Sequence, residues 1–422
     1  MNQTSRYADF TREELAVIVP ELLLIGQLID RAGMPWCISA FGREEMLQIA
    51  IEEWAAASPI YTRRMQKALD FSPEEPGRGD VPTIFKGLQL DIGAPPQFMD
   101  FRYIVHDRWS GEFHLDHCGA LMDVEPMGED YVRGMCHDIE DPTFDATAIA
   151  TNPHAQVRPI HRPPRVPADR APHCAWTVKI DDSFPEPEPV SALAVNERSR
   201  AATVELTPID PRDEGLSDYS GALMSDVDFL AFSHSGLVRI ADEICVQMAL
   251  LDNAFAIAVD ARTDSADDTV KIRRKQLVGI AGVAGERLTR ALALAEQDDA
   301  VNAAARLLAA HPMLNPAAYV NAEIDGACLL VRPSLVHQDN GWIALCGPEW
   351  FTPLRAAVRA VDPHLDIEVT TGAAVGEWQG TIVRRDEPIS ESDEVAVTKF
   401  STGSEFTFEP RRSLPLFIVG EA

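Results

Sequence analysis

Between His106 and Trp176 the chain gathers seven of its eleven histidines and three of its seven cysteines, with carboxylates and arginines between them. Imidazole, thiolate and carboxylate are the donors that bind zinc or ferrous iron. In the segment EFHLDHC, residues 112–118, side chains two apart on a strand share a face, so a strand here groups His114, Asp116 and Cys118. Next comes Cys136-His137-Asp138-Ile139-Glu140. On a helix His137 and Glu140 lie one turn apart, and His161 would complete a two-histidine, one-carboxylate set with open positions for substrate. The strand set and the helix set compete for the same ion. Spacing leaves both open, and the cofactor expected is Zn or Fe(II).

Carboxylates follow directly. Glu140 and Asp145 are the expected proton-transfer residues, and with Asp141 they could instead orient the histidines or cap turns. The proline-rich stretch 152–173 carries Arg158, Arg162, Arg165 and Arg170. Arg158 and Arg162 are candidates for forked hydrogen bonds to an anionic substrate. Alternatively these arginines pair with the abundant acids and clamp the loop.

The elements around these residues are legible from their periods. Thr11-Arg-Glu-Glu14 has capping-box spacing, and Leu15, Ile18, Val19, Leu22, Ile25 and Ile29 then recur at helical spacing towards a stop at Gly33, with Pro20 interrupting. Helices are predicted over 43–57 and 61–69. From Phe98 the period becomes two, giving a strand, a turn at Trp109-Ser-Gly111 and a returning strand to Cys118. Another helix is expected over 129–137, and Cys174, Trp176, Val178 and Ile180 share one face of a later strand. The acidic, proline-rich segment 181–199 reads as an extended linker.

The second half repeats the first in outline. Residues from Leu237 parallel those from Leu15, with Glu243 opposite Glu21, and ERLTRAL parallels RRMQKAL. Aligning Cys346 with Cys118 sets Trp342 against His114, Ala344 against Asp116, His364 against Cys136 and Leu365 against His137. The expected fold is α+β, a helical lead-in packed on an antiparallel sheet, occurring twice as a pseudo-dimer. Its parts are a metal-site domain at 1–180, a linker at 181–199, and a degenerate copy with a C-terminal extension at 200–422.

A net charge of −29 argues against nucleic acid as a partner and against anionic membranes. No apolar run approaches the roughly 18–20 residues that span a bilayer, and the first residues lack the pattern of a secretory signal. Seven scattered cysteines suit reduced thiols rather than a disulfide framework, so a cytoplasmic protein is expected, either monomer or homodimer.

The succession of helices, FHLDHC, MCHDIEDPTF and HCAWTVKI resembles the L-2-amino-thiazoline-4-carboxylate hydrolase-like family and the related 4-vinyl-reductase domains. Phe113, His114 and Cys118 match the strand signature, Cys136 the middle cysteine and Cys174 the last. Gly119 stands where the family carries proline. The resemblance implies hydrolysis of a small cyclic C–N compound, or non-catalytic binding of small ligands beside cysteine-held zinc, whose closed four-coordinate set would be Cys118, Cys136 and Cys174 with His114. The expectation is a metal-dependent enzyme acting on a small, anionic organic molecule, with iron-dependent oxidation through His137, Glu140 and His161, or a zinc-stabilised sensor module, as alternatives.

Overall fold

The computed structural model describes residues 4–416. Thr11 and Glu14 form the capping box: Thr11 Oγ1 accepts from Glu14 N at 3.2 Å, and Glu14 Oε2 accepts from Thr11 N at 2.9 Å. From there α1 (Arg12–Phe41) runs unbroken through Pro20, Gly33 and Pro35. Gly33 is not a stop because the helix needs it for packing. A Cβ there would lie 2.6 Å from the Gln276 amide nitrogen. The two helices predicted next are one, α2 (Arg43–Ala68), with Pro59 inside it. Then come α3 (Val81–Leu88), β1 (Met99–Val105) and β2 (Ser110–Cys118). After β2 the chain forms α4 (Gly119–Val124), α5 (Glu129–Arg133), a π-helical turn (Gly134–Ile139) and α6 (Glu140–Ile149). Strands β3 (Ala155–His161) and β4 (Cys174–Ile180) complete an antiparallel sheet in the order β1-β2-β4-β3.

Segment 181–199 is not wholly extended. It contains α7 (Ser191–Asn196), whose buried Asn196 donates to Ala56 O and Leu250 O, and α8 (Arg200–Thr203) follows. The second half then repeats the plan: α9 (His234–Asp260), α10 (Ala266–Ala291), α11 (Ala300–Ala310), β5 (Ala322–Asp325), β6 (Cys328–Val331), α12 (Leu335–Gln338), α13 (Thr352–Arg359), β7 (Leu365–Thr371), β8 (Trp378–Arg384) and α14 (Asp393–Thr398). Its sheet order, β5-β6-β8-β7, is that of the first. The α+β fold therefore occurs twice.

The repeat holds, but its detailed register differs from the sequence alignment. Trp342–Leu345 is a 3-10 turn, and the hairpin equivalent to β1–β2 lies earlier, around a turn at Gly326, whose φ is 53°. The true anchor is Asn152-Pro-His154 against Asp362-Pro-His364. In each, the first side chain accepts from the histidine N–H, at 3.0 and 2.9 Å, just before a strand. His364 thus matches His154 rather than Cys136.

The long helices exchange partners between halves: α1 packs on α10 and α2 on α9, while α1 and α9 also meet. One continuous apolar core runs through both halves. No helix among the described residues is long and apolar enough to cross a membrane.

Candidate functional site

Two local irregularities decide where the chemistry-bearing side chains point. The first is a bulge in β2. Phe101 pairs with Leu115 but Met99 pairs with Cys118, so β2 carries one extra residue. Cys118 thereby returns to the buried face with Phe113 and Leu115, whereas His114 and Asp116 stay on the opposite face. There His114 Nε2 lies 3.4 Å from Asp116 Oδ1. His161 shares that row, since both histidines pair with Ala175 from opposite sides of β4. Two strand spacings put their backbones about 10 Å apart.

The second irregularity is the π-helical turn ending at Ile139. A regular helix would align His137 with Glu140, and the wider turn undoes that alignment. His137 Nε2 is 2.7 Å from Pro163 O, while Glu140 is buried. His137, Glu140 and His161 therefore diverge. Wide turns of this kind recur at functional sites.

Cys118, Cys136 and Cys174 are all buried on the core side of the sheet, near enough to influence one another electrostatically. Burial pushes the Cys118 thiol up to about 12, with Glu140 adding to it. Burial raises Cys136 and Cys174 as well, and each then feels Glu140 and Cys118. Even so, among the described residues no three His, Cys, Asp or Glu side chains are grouped as ligands of one ion. His114 faces away from the thiols, and His137 points to Pro163 O and not towards Glu140.

Three of the four arginines follow the loop-clamping alternative. Arg158 Nη1 donates to both oxygens of Asp145, at 2.9 and 2.8 Å, and Asp145 also accepts from Val157 N at 2.9 Å. Arg162 pairs with Asp141, and Arg165 pairs with both oxygens of Glu125 at 2.9 and 2.6 Å. Asp145 is thus occupied, and so are Arg158 and Arg162.

Glu140 instead lines a cavity of about 80 Å³ between α1, α2, the end of α3 and α6. That is room for several waters. Its polar wall is Gln27, Asp30, Asp91 and Glu140, and its aromatic wall Trp54, Tyr61 and Phe144. Asp91 accepts from Tyr61 Oη at 2.8 Å and from Gly93 N at 2.7 Å, yet burial still pushes it up to about 6. Glu140 is pushed up to about 8 by burial, against the lowering influence of Arg162. Gln27 Oε1, Asp30 Oδ1 and Glu140 Oε2 are buried with no hydrogen-bond partner. A buried acceptor of this kind is costly unless a donor from water or a bound molecule reaches it.

The second half has lost this cavity wall. In the register fixed by Arg64 and Arg287, Ala284 replaces Tyr61 and Leu277 replaces Trp54. In that fixed by Pro95 and Pro316, whose carbonyls accept from Met99 N and Val320 N, Pro312 replaces Asp91. Trp350 stands for Glu140 in the Asn152–Asp362 register. Only Asp30 keeps a counterpart, Asp252, and that carboxylate is taken by Arg273 at 2.8 Å. Sequence reading missed Gln27, Asp30, Tyr61 and Asp91. A signal existed for Asp30, an acid one residue from Ile29 on the apolar face of α1.

No family model, curated protein or solved structure matches the chain.

Proposed function

We propose that the first half of the chain binds a small polar organic molecule in the cavity at Glu140 and hydrolyses a C–N bond in it. The observation that carries this reading is the buried Glu140 carboxyl, whose Oε2 no protein donor reaches, lining the same cavity as the tethered carboxylate of Asp91. Two carboxyls whose surroundings push them to about 8 and about 6 divide naturally into acid and base at neutral pH. Asp91 takes a proton from water as its oxygen bonds to carbon, and Glu140 gives its own proton to the departing nitrogen as C–N breaks. C–N hydrolysis is also what the resemblance at Phe113, His114 and Cys118 implies. The arginine-held anionic substrate expected from sequence gives way to one recognised by acceptors, because Arg158 and Arg162 are engaged elsewhere.

The test is turnover of a panel of small cyclic amides and thiazolines. Glu140→Gln and Asp91→Asn should each lower kcat by at least 100-fold, in the usual range for a lost general acid or base. A variant pair with unchanged kcat sinks the reading.

A second reading, a ligand-binding module with zinc at Cys118, Cys136 and Cys174, draws on the proximity of those thiols. Elemental analysis of the purified protein distinguishes it, and iron in place of zinc would favour oxidative chemistry near His137 and His161. A cytoplasmic setting goes with either reading, since all seven cysteines are free thiols. We also propose that the chain acts as a monomer, because α1 on α10 and α2 on α9 already make a two-fold-like helix pairing within one chain.

A further inference from the structure

Asp30 lines the cavity, but what holds it in place lies behind it. Arg31 Nη1 is 3.3 Å from Asp30 Oδ2, and the same arginine is shared with Asp123 at 3.2 Å. On the other side stands Glu53, on α2, which has no solvent exposure at all. No N–H or O–H donor reaches either of its carboxyl oxygens. Its hydrogen-bonding neighbour is another acid, Asp30. Two carboxyls in such contact repel unless a proton lies between them. The other charged groups around Glu53 do not change this. Asp252 on α9 adds negative charge, and Arg31 is the cation that acts against it. Cys37 on α1 feels both acids and is itself pushed up by burial.

The second half makes the comparison. Asp252, the counterpart of Asp30, is held by the Arg273 guanidinium from α10 at 2.8 Å. Gln276 takes the place of Glu53 in the Arg64–Arg287 register, and Ala50 that of Arg273. One half thus fixes its α-helical aspartate with a cation. The other has no cation at that position, pairs its aspartate, among the described residues, only with the adjacent Arg31, which it shares with Asp123, and places a carboxyl beside it.

We infer that Glu53 is a positioning residue for the cavity: it carries a proton, donates it in a hydrogen bond to Asp30, and so fixes Asp30 as an acceptor for an N–H or O–H group of the ligand. This rests on the cavity being the site, but the state of Glu53 can be read with no substrate present. Asp30 then sets specificity by demanding a donor, in contrast to Glu140, which moves a proton.

Difference infrared spectroscopy of the intact, ligand-free protein provides the test. At about pH 9, one unit above the about 8 of Glu140, the spectrum should retain the carbonyl stretch of a protonated carboxyl. Glu53→Gln should abolish that band, Asp30→Asn should shift it, and Glu140→Gln should leave it in place. If wild type shows no protonated carboxyl at that pH, or if Glu53→Gln leaves the band intact, the inference falls. The wild-type titration decides the matter even where a variant does not fold. Failure of the hydrolytic reading would appear separately, as unchanged turnover in the Glu140 and Asp91 variants.

Discussion

Arg64 and Arg287 make the same ion pair in opposite directions across the molecule. Arg64 Nε on α2 donates to Glu243 on α9 at 2.9 Å, and Arg287 Nε on α10 donates to Glu21 on α1 at 2.6 Å. Each arginine also binds the chain that follows the sheet of its own half. Arg64 donates to Ala202 O and Val204 O, and Arg287 to Gly403 O, Ser404 O and Phe406 O. The reciprocity is that of an isologous dimer interface carried within one chain. It also explains the arginine: its planar fork reaches a carboxylate and several carbonyls at once, which a lysine cannot.

The two pairs differ in how much each half depends on them. Glu243 retains Arg239 at 2.9 Å if Arg64 is lost, whereas Glu21 has its only ion pair among the described residues with Arg287. Arg287→Met should therefore cost about 3–5 kcal/mol, the usual penalty for stranding a buried charge. Arg64→Met should cost clearly less. Urea denaturation of both variants checks the order, and equal losses would contradict it.

Glu140 gives stability a pH dependence of definite sign. Its folded value of about 8 lies above the ordinary 4.5, so the folded state holds the proton more tightly than the unfolded chain. That contribution is complete below about 4.5 and is lost as pH rises through about 8. Asp91 adds the same sign between 3.8 and about 6. Glu140→Gln keeps the shape without the titration. Thermal melts at pH 5 and pH 8 should show a smaller fall for the variant, by up to a few kcal/mol at the melting temperature.

Thiol titration separates the cysteines by burial. Cys328 is half-exposed and the other six are buried, Cys118, Cys136 and Cys174 behind the sheet. An Ellman titration of the native protein should modify one thiol quickly, and denaturation should release the rest. Rapid reaction of Cys136 or Cys174 would mean that the sheet and α6 do not close over them.

Legibility from sequence followed the range of the interactions. The capping box at Thr11, the strand alternation from Met99 and the doubling of the α+β unit depend on neighbours within a few residues, and they were readable. The exchange of helices between halves was not, because it depends on which apolar face meets which. The placement of the candidate ligands is hidden for a similar reason. One extra residue in β2 turns Cys118 away from His114, and one wide turn parts His137 from Glu140. Neither irregularity leaves a mark in residue types. Glu140 was found because it lies in the dense stretch, whereas Asp30 and Asp91 belong to helices and loops that look like plain scaffold.

Gly119 is required here on two counts. Its N–H donates to Phe98 O at 2.8 Å, a bond proline cannot make, and a Cβ at this position would lie 2.1 Å from the Phe98 ring. Phe98 is 1% exposed and packs edge-on to Phe406, in the segment that Arg287 holds from the other half. The ring has no free direction in which to yield. Gly119→Ala should cost about 1–3 kcal/mol by overpacking. Gly119→Pro should cost more, since the lost hydrogen bond leaves a buried carbonyl unsatisfied. Chemical denaturation gives both values. A neutral Gly119→Ala would mean that Phe98 can move without disturbing Phe406, and that the two halves are less tightly joined at this point than the ring contact implies.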